Sequence, residues 1–362
     1  MKIIAAVARD RSGPFALEEL DMEEPRDDEV AVRIAGAGIC HTDLAQRAGR
    51  VPLPVVLGHE GAGIVQSVGT RVSKVSPGDH VVLSFLSCGT CATCQGGMPS
   101  YCQNDLACNF AAARLDGSSS LRGRGGVVRS HFFGQSSFAT HCLASERNVV
   151  KVRDDVPLEI LGPLGCGIQA GAGAVLNTSP SRPRGSIAVF GVGAVGLSAV
   201  MAARAAGYLT IVGIDTNPAR LELATGFGAT HVINAAVADP VAEVWAITGT
   251  GADYAIEAVG RAEVLRQAVD CLALLGVCGL IGGPPAGTEV TLDMTRILFG
   301  RTVRGILGGD SIPDVFIPHL IELYLSGRFP FDQLISFYPL REINQAADDS
   351  LRGSVVKAVL RP

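Results

Sequence analysis

The chain has 362 residues, too many for one ordinary hydrophobic core, so two domains are expected. Its 48% hydrophobic and 18% charged residues suit a compact protein with buried parallel strands, and a net charge of −5 argues against nucleic acid or another polyanion as partner. The opening MKIIAAVARD lacks the apolar core and cleavage site of a secretory signal, and no apolar run reaches the ~18 residues of a membrane helix unbroken. A cytoplasmic protein with no membrane partner is therefore expected.

Short alternating runs at Glu29–Ile34, Gly63–Val68 and His80–Leu83, separated by turn signals such as SPGD, predict a β-rich first part with a barrel-like or sandwich core. Within it, Gly38–Gly61 reads GICHTDLAQRAGRVPLPVVLGHEG and concentrates chemistry: Cys40, His41, Thr42, Asp43, His59 and Glu60. Thiolate and neutral imidazole are ligands that Zn²⁺ prefers, and a catalytic zinc keeps one position open. Cys40 and His59 are only part of such a site. The same C-H-T-D run also reads as a helix start.

Ten cysteines without a secretory signal point to metal or catalysis before disulfides. Cys88, Cys91, Cys94 and Cys102, spaced C-x2-C-x2-C-x7-C in a lobe spanning about residues 86–105, have the pattern of a four-thiolate structural zinc site. An iron–sulfur cluster is the main rival. Cys108, Cys142, Cys271 and Cys278 show no ligand spacing and read as small apolar residues. Residues 103–131 read as a long solvated loop, with Arg122, Arg124 and Arg129 as a weaker candidate anion patch.

From about Pro157 the pattern changes. Helical periodicity is expected through LEILGPLGCGIQAGAGAVLN, with Cys166 between Gly165 and Gly167 as candidate third ligand beside Cys40 and His59. Strand and helix then alternate: strand Ser186–Phe190, a helix ending on Gly207, strand Thr210–Asp215, a helix opened by Pro218, strand HVIN, strand ADYAIEAVG, helix AEVLRQAVDCLALLG and strand VCGLIGG. This predicts a doubly wound parallel sheet. A final helix around Asp314–Ser326 and a terminal strand VVKAVL are assigned back to the first domain.

GVGAVG places Gly191, Gly193, Ala194, Val195 and Gly196 directly after a strand and at a helix start, as a dinucleotide fingerprint requires. Asp215 ends the next strand about 20 residues on, where a carboxylate binds adenosine ribose hydroxyls and repels a 2′-phosphate. Thr216 and Asn217 offer no compensating arginine, so NAD is favoured over NADP.

GHEGAG, the four-cysteine lobe, LGCG and GVGAVG with Asp215 together resemble the zinc-dependent alcohol dehydrogenases of the medium-chain dehydrogenase/reductase superfamily, over nearly the whole chain. GICHTD, LSCGTCATC, FFGQSSFATH and LGCGIQAGAGAVLN are most similar to the aryl-alcohol (benzyl alcohol) dehydrogenase branch. The resemblance implies an α/β protein. A GroES-like catalytic domain would come from residues 1–160 with 303–362, and a Rossmann NAD-binding domain from 161–302. It implies two zinc ions per chain: a catalytic one on Cys40, His59 and Cys166 with Glu60 near the metal, and a structural one on the cysteine lobe. Asp43 would orient His59. His41 and Lys357 would contact the cofactor pyrophosphate. Val259, Gly260, Ile281 and Gly282 would face the nicotinamide side.

The implied reaction is reversible oxidation of a primary aromatic or allylic alcohol to an aldehyde, with the alkoxide stabilised on zinc and hydride passing to NAD. Thr42 would accept the substrate proton. The sequence departs from many relatives at Ala45, where a relay histidine would stand, which leaves the final acceptor to water and leaves room for a bulkier substrate. Phe85 could line that pocket. Competing readings are the same fold acting on S-hydroxymethyl thiol adducts or aliphatic alcohols, and a non-catalytic zinc- and nucleotide-binding interaction protein. A homodimer or homotetramer is expected, with apolar strands near Val277–Ile281 and Val303–Leu307 suited to the interface.

Overall fold

In the computed structural model, which describes residues 1–49, 51–179 and 185–362, the strand Glu29–Gly38 is the spine of the first half. The expected nucleotide domain is thus described apart from residues 180–184, and the Gly38–Gly61 stretch apart from Arg50. Val30, Val32 and Ile34 alternate inward and pack in one core with Val65, Val81, Leu143 and Ala358. Seven strands make this sheet: Val149–Val152, His80–Leu83, Glu60–Val68, Glu29–Gly38, Lys357–Arg361 and Ile335–Pro339 in order, with His141–Ser145 also paired to Glu29–Gly38. A second sheet, ordered Val55–Val56, Lys2–Ala8, Ala16–Met22, Leu121–Gly123 and Gly126–Val128, contributes to the same core. The terminal strand pairs Val359 with Gly38, which sets Lys357 beside the chain leaving toward Cys40.

The second half holds a six-stranded parallel sheet ordered His231–Asn234, Thr210–Asp215, Ser186–Phe190, Ala252–Glu257, Leu272–Leu280 and Thr302–Gly305. Helices connect its strands, and their ends carry local signals. Asn217 caps Pro218–Phe227 by accepting the Ala219 N–H, and Gly228, with φ 118°, stops it. By contacts the chain divides into one unit of Met1–Gly167, Ile312–Pro318 and Asp332–Pro362, and another of Ile168–Ser311 and His319–Phe331. No helix among the described residues is long and apolar enough to cross a membrane.

Several sequence expectations need correction. The strand Thr302–Gly305 pairs with Leu272–Leu280, so the parallel sheet runs past the expected changeover at 303. The periodic stretch LEILGPLG forms two short 3₁₀ turns, and the helix starts only at Gly167. In AEVLRQAVDCLALLG the helix ends at Asp270, and Leu272–Gly276 joins the next strand: Leu272 pairs with Ala252, and Leu275 takes a φ of 61° that no α-helix accepts.

Residues 103–131 are not a simple solvated loop. They include a π-helical turn at Leu106–Phe110 and the hairpin Leu121–Gly123/Gly126–Val128. They also bring in the buried Arg114, whose guanidinium donates to both Glu29 oxygens (2.6 and 2.9 Å) and to Glu23 (2.7 Å). Arg122 and Arg124 are exposed, and Arg129 is half-buried.

His131, also from this segment, is buried with Nε2 3.9 Å from Glu29. Burial pushes its imidazole down to about 4, with Glu29 opposing and Arg114 reinforcing the shift. The folded chain therefore binds this proton less tightly than the unfolded chain. The contribution of the neutral ring is complete above about pH 6.5 and is lost as pH falls toward about 4. Replacing His131 by Asn, which tolerates the left-handed φ of 64° here, should make the fall in unfolding free energy between about pH 7 and 4.5 smaller by about 2–3 kcal/mol. Denaturant titrations of both proteins across that range measure it, and equal slopes would remove His131 from the account.

Candidate active site and metal centres

Cys40 stands at the start of the helix His41–Ala48, immediately beyond the strand that forms the spine of the first half. The Asp43 carboxylate reaches back to accept the Cys40 N–H at 3.0 Å, the reciprocal half of a capping box. Its other oxygen accepts from Gly58 N–H at 3.0 Å and from His59 Nδ1 at 2.8 Å. With Nδ1 committed to Asp43, His59 turns Nε2 toward the site, and that atom is buried without a hydrogen-bond partner.

Cys166 arrives through Leu161–Gly165, which lies backbone-on-backbone against two strands. A Cβ on Gly162 would stand 2.3 Å from the Glu60 carbonyl, and one on Gly165 2.1 Å from the Leu83 carbonyl. Only glycine permits this approach. Ser84 Oγ donates to Gly165 O at 2.8 Å, and Gly167 N–H donates to Glu60 Oε1 at 3.1 Å. The result is that one donor atom each from Cys40, His59, Glu60 and Cys166 lie within 4.8 Å of one another.

Two thiols, an imidazole and a carboxylate converge in this way. A hydrogen bond from the Cys166 thiol holds Cys40 well below its usual range, and the same bond together with burial holds Cys166 up. At His59 burial disfavours charge, but Asp43 and Cys40 outweigh it and raise the imidazole. The orphaned Nε2 and the mixed sulfur–nitrogen set fit Zn²⁺.

The second cluster is Cys88, Cys91, Cys94 and Cys102, whose sulfurs also lie within 4.8 Å of one another. All are free thiols. Backbone N–H groups point at the sulfurs: Cys91 N to Cys88 at 3.4 Å, Cys88 N to Cys102 at 3.3 Å and Gln103 N to Cys91 at 3.4 Å. Backbone donation from Thr90 is the largest cause holding Cys88 down at about 5, and the Thr93 hydroxyl leads in holding Cys91 at about 7. The cluster thus favours thiolates at Cys88 and Cys91, while burial pushes Cys94 up to about 12, and four sulfurs are the number that fills the shell of a tetrahedral metal.

In the parallel sheet, Gly191 has φ 85°, and a Cβ there would meet Val259 Cγ2 at 2.5 Å. A Cβ on Gly196 would stand 1.8 Å from the Gly191 carbonyl, so helix Ala194–Ala206 packs close only because the residue is glycine. Gly193 caps that helix, so the first N–H groups, from Ala194 and Val195 onward, form the anion-binding end of a helix. The Asp215 carboxylate is fixed between Val192 N–H and Asn217 N–H, both at 2.9 Å. The residues present fit a dinucleotide.

Residues 26–154 match the alcohol dehydrogenase GroES-like domain, and residues 194–326 match the zinc-binding dehydrogenase family. The chain is 47% identical to the geraniol dehydrogenase of Castellaniella defragrans over 98% of its own length and 96% of that protein's. The chain belongs to the zinc-dependent alcohol dehydrogenases. Within the medium-chain superfamily, it superposes on the benzyl alcohol dehydrogenase of Acinetobacter calcoaceticus with a TM-score of 0.97 at 46% identity, covering 100% of this chain and 99% of that one. An alcohol dehydrogenase zinc-binding domain protein from Burkholderia ambifaria gives a TM-score of 0.98 at 51% identity, with 100% and 99% covered.

Against the expectations for this alcohol dehydrogenase, Lys357 needs correction. Its ammonium is buried and donates to Ile39 O at 3.2 Å and to Glu60 at 3.0 and 2.9 Å, not outward to a phosphate. A buried ammonium requires an anion, and Glu60 supplies it. Burial opposes the charge on Lys357, but Glu60 and Cys40 more than offset it and the group is raised. His41 is exposed, Thr42 half-buried and Ala45 exposed on the same helix, while Phe85 is half-buried.

Sequence reasoning missed two groups. Arg220, five residues past Asp215, brings Nη1 to 3.9 Å from its carboxylate and 4.0 Å from where a Gly193 Cβ would be. One turn of helix separates it from Asn217, a spacing that could have been searched. Phe133 stacks on the His59 ring at 4.4 Å and 25°, and packs with Phe110 and Phe132 edge to face. Nothing in the linear sequence placed those rings beside His59.

Replacing Asp43 by Ala would strand three buried donors at once. A loss of about 3–5 kcal/mol in unfolding free energy is expected. Asn, which keeps a carbonyl oxygen, should lose less; equal losses would mean the carboxylate is not what joins these segments.

Proposed function

We propose that this alcohol dehydrogenase uses NAD to oxidise primary aromatic or allylic alcohols reversibly to aldehydes. The observation that carries the substrate choice is the half-buried Phe133 ring stacked on His59 with the half-buried Phe110 edge-on to it, both backed by the buried Phe132, an apolar wall suited to a flat, unsaturated group. The likeness to proteins described as geraniol and benzyl alcohol dehydrogenases supports the same reading.

In this reading Cys40, His59 and Cys166 hold the catalytic zinc with Glu60 beside it, and Cys88, Cys91, Cys94 and Cys102 hold the structural one. Bound zinc supplies a Lewis acid that makes an alcohol hydroxyl acidic, and NAD supplies the hydride acceptor. Asp43 keeps His59 in the tautomer that leaves Nε2 free. Lys357 neutralises Glu60, so the carboxylate adds no net charge beside the two thiols. Thr42 accepts the proton of the substrate hydroxyl. Because Ala45 is exposed and carries no base, water completes the relay. Asp215, already anchored by two N–H groups, offers its remaining lone pairs to ribose hydroxyls, while its charge disfavours a 2′-phosphate and Arg220 offsets part of it.

A homodimer or homotetramer belongs to the same reading. Thr302–Gly305 is an exposed edge strand, and Leu274, Leu275, Leu298 and Phe299 near it are exposed apolar residues.

Purified enzyme is expected to hold about two zinc ions per chain, falling to about one in Cys166→Ala. Metal analysis giving one in both proteins would sink the catalytic-metal assignment. For the substrate, kcat/KM with NAD should be higher for benzyl alcohol, cinnamyl alcohol and geraniol than for ethanol or S-hydroxymethylglutathione, by tenfold or more if the ring wall contributes about 1.4 kcal/mol. A lead for ethanol or for the thiol adduct would overturn the aromatic reading, and equal rates with NADP would overturn the cofactor preference.

A further inference from the structure

The order of the parallel sheet reverses between Ser186–Phe190 and Ala252–Glu257. In a doubly wound sheet a dinucleotide lies across the carboxyl ends at that switch point, one mononucleotide half over each set of strands. The glycine turn and Asp215 occupy one side. The other half, which carries the nicotinamide, therefore falls over the strand ends at Glu257 and Leu280.

At those ends one residue collects the backbone. Glu257 is fully buried, and its Oε1 accepts from Val259 N–H at 2.9 Å and Gly260 N–H at 2.8 Å. Its carbonyl oxygen accepts from Ile281 N–H and Gly282 N–H, each at 2.9 Å. A Cβ on Gly282 would stand 2.2 Å from Gly260 N and 2.6 Å from Glu257 Oε2, so the two turns interlock around the carboxylate. Val259 in turn presses on the first glycine of the fingerprint. The second oxygen, Oε2, is buried with no partner. Leaving a carboxylate oxygen in that state is costly, and a neutral side chain with one acceptor could serve the two N–H groups alone.

We infer that Glu257 is a positioning residue for the nicotinamide half of the cofactor: its carboxylate sets the turn Val259–Gly260 and packs against Gly282, while its main-chain carbonyl, which any residue supplies, holds the Ile281 and Gly282 N–H groups. The inference depends on the dinucleotide reading given above. Glu257 itself touches neither substrate nor cofactor. Burial raises its carboxyl, while the N–H groups of Gly260 and Val259 oppose the shift.

The test uses two probes on the zinc-loaded enzyme, NADH and ADP-ribose, which share adenosine and pyrophosphate but differ in the nicotinamide. Glu257→Ala should weaken NADH, followed by fluorescence titration, about tenfold while ADP-ribose, followed by calorimetry, changes less than about twofold. Zinc content should stay the same. Glu257→Gln retains one acceptor and should restore most of the NADH affinity. Equal weakening of both ligands, or no change in either, overturns the inference. Should the alanine variant fail to fold, the glutamine variant carries the same comparison: an NADH loss of about threefold with ADP-ribose unchanged supports the assignment, and any equal effect on the two overturns it. Wild-type enzyme that binds neither probe would defeat the dinucleotide reading itself, a result distinct from a Glu257 variant that behaves like wild type.

Discussion

One buried carboxylate, Asp43, joins two of the three segments that carry the first cluster of candidate metal ligands. A charged group removed from water must have its lone pairs met, and Asp43 meets them with the Cys40 N–H, the Gly58 N–H and the His59 ring. The helix start and the GHE turn are thereby held in one geometry, and His59 is left with a single outward nitrogen. Glu60 repeats the principle one residue past His59. It binds Lys357 from the terminal strand and Gly167 N–H beyond Cys166. Four separated stretches of chain thus converge because two acids cannot remain buried without them.

The second half uses the same economy with fewer charges. Close approach of helix and strand at Gly196, free N–H groups at the Ala194–Ala206 helix, and acids at strand ends define the nucleotide face. Asp215 and Glu257 each end a strand and each collect backbone N–H groups, but they differ in exposure. Asp215 remains partly open, suited to contact a ligand directly, whereas Glu257 is closed off and can act only through the turns it fixes.

Much of the chain could be read from its residues. The strands at His80–Leu83, Ser186–Phe190, Thr210–Asp215 and His231–Asn234 begin and end where the apolar runs and turn residues indicated. Both groups of converging candidate ligands were readable because few residue types bind zinc and their spacing is restrictive. Errors arose where packing outvoted local pattern. Leu272–Gly276 followed a helical run but was drawn into a strand, where Leu272 pairs with Ala252 and Leu275 takes a φ of 61°, and residues 103–131 looked solvated because their buried groups are polar. Arg114 is met by the Glu29 and Glu23 carboxylates, and Ser119, Ser120 and Ser130 satisfy one another or backbone inside the protein, partnerships that composition does not reveal.

The sequence by itself determined the ligand chemistry, the dinucleotide turn and the alternation that yields a parallel sheet, since each depends on residue type at short range. Tertiary structure alone decided which group faces which. It turned Lys357 inward to Glu60, set Phe133 against His59, brought Arg220 to Asp215 and gave Glu257 the N–H groups of two turns. These pairings join residues far apart in the chain or on opposite sides of a helix turn, and they follow from the need to satisfy buried charge and fill buried volume, which no local pattern encodes.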